Sequence, residues 1–233
     1  MKKVLICSIL FIAVFYVSAQ ERSFNFGLHA TPNLSWMKSN VDGEVYKSDG
    51  ANVHMGYGAE FNYFFIDNLG IGTGVNVVYT GGRLKYRTRY PAAVDTIGIL
   101  ERKYKLQYLE IPLVMIGTTG NMLGKFAIYA KFGLGTSFKL SAKANDKFTS
   151  DVTSALPVSV DNKSISKDVG FMRESMIIGV GATYKVAKII SVNLGLTYNN
   201  GFTDVLTSKN LAKPDVKENA KVNYFEISLG ILF

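Results

Sequence analysis

Residues 223–233 read NYFEISLGILF, a run in which apolar and polar side chains alternate up to the last residue. In an extended strand successive side chains point to opposite faces. Phe225, Ile227, Leu229, Ile231 and Phe233 therefore share one face, and Tyr224, Glu226, Ser228 and Gly230 the other. A continuous oily face must meet something apolar. In a soluble sandwich that is a second sheet; in an outer-membrane barrel it is lipid, with the polar face turned to the lumen.

The opposite end, residues 1–20, is MKKVLICSILFIAVFYVSAQ: two lysines, an apolar run from Val4 to Val17, then small residues before Gln20. This order predicts a secretory signal peptide over 1–19, cut after Ala19, ahead of one domain over 20–233. The apolar run is too short to span a bilayer as an ordinary helix. Cys7, the one cysteine, lies early in that run and reads as a small apolar filler. The exported portion would then lack thiols, which excludes disulfide staples, a cysteine nucleophile and a thiolate metal site.

About 214 residues remain after such a cut, enough for a single all-β domain. Glycine is abundant at 22 and proline scarce at 5, while 15 Phe and 13 Tyr accompany one Trp. That profile suits strands with aromatic girdles better than helices. The formal charge of +8 falls by two with the loss of Lys2 and Lys3, a moderate excess whose position matters more than its size. No nucleic-acid partner is expected from it.

Reading for period two gives eight strands. In the first, FNFGLHATPNLSW (24–36), Phe24, Phe26, Leu28, Leu34 and Trp36 oppose Asn25, His29, Thr31 and Asn33. The second falls near 51–66, the third starts at Leu69, and the fourth ends in QYLEIPLVMIG (107–117). KFAIYAKFGLGTSFKL (125–140) supplies the fifth, 169–186 the sixth, IISVNLGLTYNN (189–200) the seventh, and the opening fragment the eighth. Short connections follow strands two, four and six (Asp67-Asn68; TTGNML, 118–123; KVAK, 185–188), and long polar ones follow the others, the longest at 142–167. Short turns at one end and long loops at the other is the arrangement of an eight-stranded antiparallel up-and-down transmembrane β-barrel in a Gram-negative outer membrane. An even strand number puts both ends of the domain in the periplasm, with Phe233 in the periplasmic girdle and the last strand closing on the first. A soluble lipocalin-like barrel is the alternative, but it would bury the apolar set inside, and here the other set is Glu, Lys, Asn, Ser and Gly.

The sequence resembles the PorT-type outer-membrane β-barrel family of porin-like proteins. The likeness rests on the signal peptide, FGLHATPNLSW in the first strand, YLEIPLVM in the fourth, YAKFGLGTSF in the fifth and the aromatic last residue. It covers essentially the whole exported chain and implies an eight-stranded barrel and, for some members, a role around protein secretion. These motifs are architectural and carry no chemistry.

Strand parity turns Glu60, Glu110, Lys131 and Glu226 into the lumen near mid-height, where isolated charges would be too costly. A hairpin centred on Gly120-Asn121 would set Glu110 directly opposite Lys131, with Arg173 and His29 as further partners. The expected outcome is a polar plug, because an eight-stranded barrel is just wide enough for its own side chains; a cation-selective pore is the alternative. Pro32 and Pro112 cannot donate to a ladder and should each sit at a bulge or bend. Outside, GGRLKYRTRYP (81–91) and ERKYKLQY (101–108) place Lys85, Arg87, Arg89, Lys103 and Lys105 on the outer face above the membrane edge. These would contact lipopolysaccharide phosphates, or else form a solvated basic hairpin.

Catalysis has little support. His29 and His54 are the two histidines, neither has metal-site spacing, and both point inward, so a lipid-facing Ser-His pair is not available. No enzyme activity, metal or cofactor is expected. The reading is a monomeric outer-membrane barrel, in contact with lipid and lipopolysaccharide, with a structural, adhesive or secretion-associated role through surface or secretion partners. A narrow porin passing small solutes is the second reading.

Overall fold

The computed structural model describes residues 24–39, 46–90, 96–119, 125–152, 156–212 and 218–233. The expected signal peptide and the Gly120-Asn121 turn lie outside the described residues. Ten strands occur in the described chain: β1 (Phe24–Ser39), β2 (Tyr46–Ser48), β3 (Asn52–Ile66), β4 (Leu69–Tyr90), β5 (Thr96–Thr118), β6 (Phe126–Ser150), β7 (Val158–Ser164), β8 (Met172–Lys185), β9 (Ser191–Gly201) and β10 (Ala220–Leu232). Eight of them form a closed antiparallel ring in the order β1-β3-β4-β5-β6-β8-β9-β10. The ring shuts where β10 pairs with β1, and its last rung is mutual: Phe233 N–H donates to the Phe26 carbonyl at 2.7 Å and Phe26 N–H to the Phe233 carbonyl at 3.2 Å. β2 and β7 are short additions to the outer ends of β4 and β6.

Alternation sorts the side chains as the period-two pattern demands. Met55, Leu113, Phe132 and Leu229 face outward and are more than half exposed, whereas Asn33, Asn62, Ser137 and Asn199 face inward and are buried. Left to water, each outward side chain would forgo about 2 kcal/mol of burial. A lipocalin-like interior is thereby excluded, since its apolar set would be the buried one. Aromatic residues edge the band at both ends. Near the short turns Phe26 meets Phe61 at 5.1 Å and Phe233 at 6.3 Å; towards the long loops Trp36, Tyr198 and Phe225 pack within 4.8 to 6.3 Å of one another.

Three expectations are corrected. First, β5 and β6 pair in a different register: Glu110 lies opposite Ser137, and Lys131 opposite Ile116, so the expected Glu110–Lys131 pair does not form. Second, most of the long loop expected at 142–167 is sheet. β4, β5 and β6 are 22, 23 and 25 residues long, about twice what a membrane crossing requires. β6 runs to Ser150 and β7 pairs back against it, because Ala142, Ala144 and Phe148 keep facing inward between Lys143, Asn145 and Lys147. Third, of the bulge or bend expected at each proline, the bulge is absent. The β1–β10 ladder skips Thr31 and Pro32, and the β4–β5 ladder skips Pro112 and Ile111, both without a register shift. The observed irregularities fall elsewhere, beside Phe65, at Leu140 and near Asn145.

Candidate functional site

The lumen is divided along its length. From the short-turn end a cavity of about 760 Å³ opens inward, bordered by Asn62, Tyr129, Thr183, Lys185 and Asn193, with Glu60 and Lys131 at its depth. Glycines make room for its long side chains. A Cβ on Gly195 would lie 2.3 Å from the Tyr129 hydroxyl, and one on Gly179 would lie 2.6 Å from the Lys131 chain. The cavity leads into a space of about 50 Å³ bordered by His29, Glu60, Glu110, Lys131 and Glu226. All four lumen charges expected from parity thus surround one small space, although no two of them form an ion pair. Glu60 accepts a hydrogen bond from Asn193 Nδ2 at 3.4 Å, and His29 Nε2 bonds Asn76 Oδ1 at 3.1 Å.

Glu110 belongs to a tighter network. Its Oε2 accepts from Ser137 Oγ at 3.3 Å, Asn199 Nδ2 at 3.2 Å and Tyr224 OH at 3.0 Å, and lies 3.8 Å from Arg173 Nη1. Arg173, anticipated only as an accessory partner, is among the largest fully buried side chains of the described residues. Its Nη2 also donates to Asn199 Oδ1 and, at 3.0 Å, to the Val222 carbonyl, and its guanidinium lies 5.4 Å over the Tyr224 ring. A buried charge is tolerable when its partners are arrayed in this way.

Beyond this network a large apolar cluster fills much of the interior, with Thr80, Arg102, Asp146 and Glu218 buried beside it. Met37, Leu84, Tyr104, Leu106, Phe148 and Val222 belong to one buried cluster fed by β1, β4, β5, β6 and β10, and Ile165, Val169, Val205 and Leu206 reach into it from the connections. The expected polar plug is therefore only the lower part of the closure. Against the cluster Arg102 grips Asp146 through two bonds, of 2.6 and 2.7 Å, and Tyr90 OH donates to the same carboxylate at 3.2 Å. Burial pushes the Tyr86 and Tyr104 phenols above the ordinary range. Gly81 lets β4 enter this region: its φ is 151°, and a Cβ there would meet the Tyr104 carbonyl oxygen at 2.2 Å.

On the outside, the five basic residues singled out from parity do face outward, but their surroundings differ. Lys85 pairs with Glu101 at 2.6 Å, a hydrogen bond that holds the Glu101 carboxyl below its usual range. Arg87 pairs with Asp151. Lys105 Nζ donates to Asn162 Oδ1 at 3.1 Å. Arg89 and Lys103 lie opposite Ile97 and Arg83 respectively. Sequence reading missed Arg83 and Lys143, which the ladders place opposite Lys103 and Lys105. The extension of β6 past residue 140 was the signal that would have found Lys143. Among the described residues no three His, Cys, Asp or Glu side chains are grouped to hold a metal.

The chain matches the family described as outer membrane protein beta-barrel domain over residues 7–233. No curated protein matches it significantly. Among solved structures it is similar to Neisserial surface protein A (TM-score 0.46, 13% identity, covering 91% of this chain and 96% of that one). It is also similar to OprG of Pseudomonas aeruginosa (0.47, 12%, 91% and 97%) and to Ail of Yersinia pestis (0.40, 13%, 91% and 100%).

Proposed function

Because this chain belongs to the outer membrane protein beta-barrel domain family, it is an outer-membrane β-barrel protein, and we propose that it works as a closed monomer displaying an extracellular β-platform for adhesion or secretion partners. The observation that carries this is the apolar cluster across the extracellular half of the interior. Water and ions avoid a passage filled by Leu84, Tyr104, Leu106 and Phe148, and the eight-stranded ring has no width to spare around them. β4, β5 and β6 meanwhile extend beyond the lipid-facing band, so much of the described chain above the membrane is folded sheet.

The second reading, a narrow pore for small solutes, has the 760 Å³ periplasmic cavity in its favour. It requires the apolar cluster to part. Planar-bilayer recording and liposome swelling separate the two. The closed barrel should give no steady conductance and no swelling with small sugars; sustained channels would establish the pore.

A further inference from the structure

We propose that Arg83, Lys103, Lys105 and Lys143 form a phosphate-binding face for lipopolysaccharide in the outer leaflet. The ladders of β4, β5 and β6 define rows of outward side chains that can be climbed one at a time. Val77–Leu109–Phe138 is apolar, and Tyr79–Gln107–Ser141 marks the change, with Gln107 Nε2 donating to Tyr79 OH at 3.1 Å. The next two rows are Gly81–Lys105–Lys143 and Arg83–Lys103–Asn145.

From Leu69 to Tyr79 a strand tilted by about 40° climbs roughly 26 Å, the height of an outer-membrane apolar band. The two basic rows then lie about 5 and 10 Å above it, at headgroup depth. Lys85, Arg87 and Arg89 stand still higher, and the first two already have carboxylate partners. The lower rows differ in composition: Lys105 faces Lys143 and Arg83 faces Lys103 across the ladder, like charge against like. Such pairs repel unless an anion lies between them. Among the described residues none of the four makes an ion pair with an acid; Arg83 Nε and Lys105 Nζ donate only to the amides of Asn52 and Asn162. An external phosphate supplies the missing negative charge, and its oxygens suit Arg and Lys donors. Phosphorylated lipid A is the anion present at that depth, so the face commits to it.

The test uses the full chain, with folding checked by heat-dependent gel mobility. Binding to vesicles carrying lipopolysaccharide is compared with binding to vesicles carrying the dephosphorylated form, and co-purified lipid A is measured by mass spectrometry. Replacing all four residues by Gln should lower binding and co-purification about tenfold or more. Lys85→Gln with Arg87→Gln should leave both unchanged, and the wild type should discriminate against dephosphorylated lipid. Should the quadruple variant fail to fold, Lys103→Gln with Lys143→Gln replaces it, since among the described residues neither side chain has a partner to lose. The proposal is overturned if the variant stays within about twofold of wild type, if the Lys85/Arg87 control falls equally, or if dephosphorylated lipid binds as well.

Discussion

Single residues carry charge into this barrel only where a partner waits. Arg102 and Asp146 are both almost fully buried, and Tyr90 completes the carboxylate's hydrogen bonding. Asp146 also lies 3.6 Å from Lys163 Nζ, whereas removing the carboxylate takes both of its bonds to Asp146 from the buried Arg102 guanidinium. Asp146→Ala should therefore loosen the extracellular platform by about 3 kcal/mol, whereas Arg102→Met with Asp146→Leu should be close to neutral. Amide exchange over residues 100–104 and 142–148 reads the difference, and equal loss in both variants would contradict the pairing. Strand parity alone turned Glu60, Glu110, Lys131 and Glu226 inward, and all four do face one space. Which of them meets which was not legible, because partners across a lumen depend on the relative heights of strands distant in sequence. Glu110 finds Asn199 and Tyr224, 89 and 114 residues away.

At the scale of elements, the β5–β6 hairpin shows what a period-two pattern can and cannot specify. Lys131 was expected opposite Glu110 and lies opposite Ile116, a slip of six positions along β5. A slip by an even number leaves every side chain on its own face, so the alternation reads identically before and after it. Only the connection could have fixed the register, and Gly120-Asn121 suggested a tighter turn than the strands accept. Cysteine pairs test this directly: Ile116→Cys with Lys131→Cys should oxidise to a cross-link within the lumen, and Glu110→Cys with Lys131→Cys should not. The reverse outcome would restore the expected register. The extended platform escaped notice for another reason. Above the membrane the outward face is wet, so Lys143, Asn145 and Lys147 alternate with small or scattered apolar residues and look like a loop.

For the molecule as a whole, eight strands, apolar-out faces and aromatic edges were legible because lipid imposes one rule on every crossing. The interior obeys no such rule, and its division into an open cavity at the short-turn end, a charged waist and an apolar cap emerges only from packing. That division is directional. Thr183→Cys, on the cavity wall, should react with a membrane-impermeant thiol reagent added from the periplasmic side, and Ala144→Cys, within the cap, from neither side. Labelling of Ala144→Cys from outside would show that the cap leaks. The two ladder gaps beside Pro32 and Pro112 add a mechanical asymmetry. They lie three strand boundaries apart around a ring of eight, so the wall is short of ladder pairs along two separate boundaries. Under lateral pressure from the bilayer, such a wall should give first along those two boundaries instead of shrinking evenly.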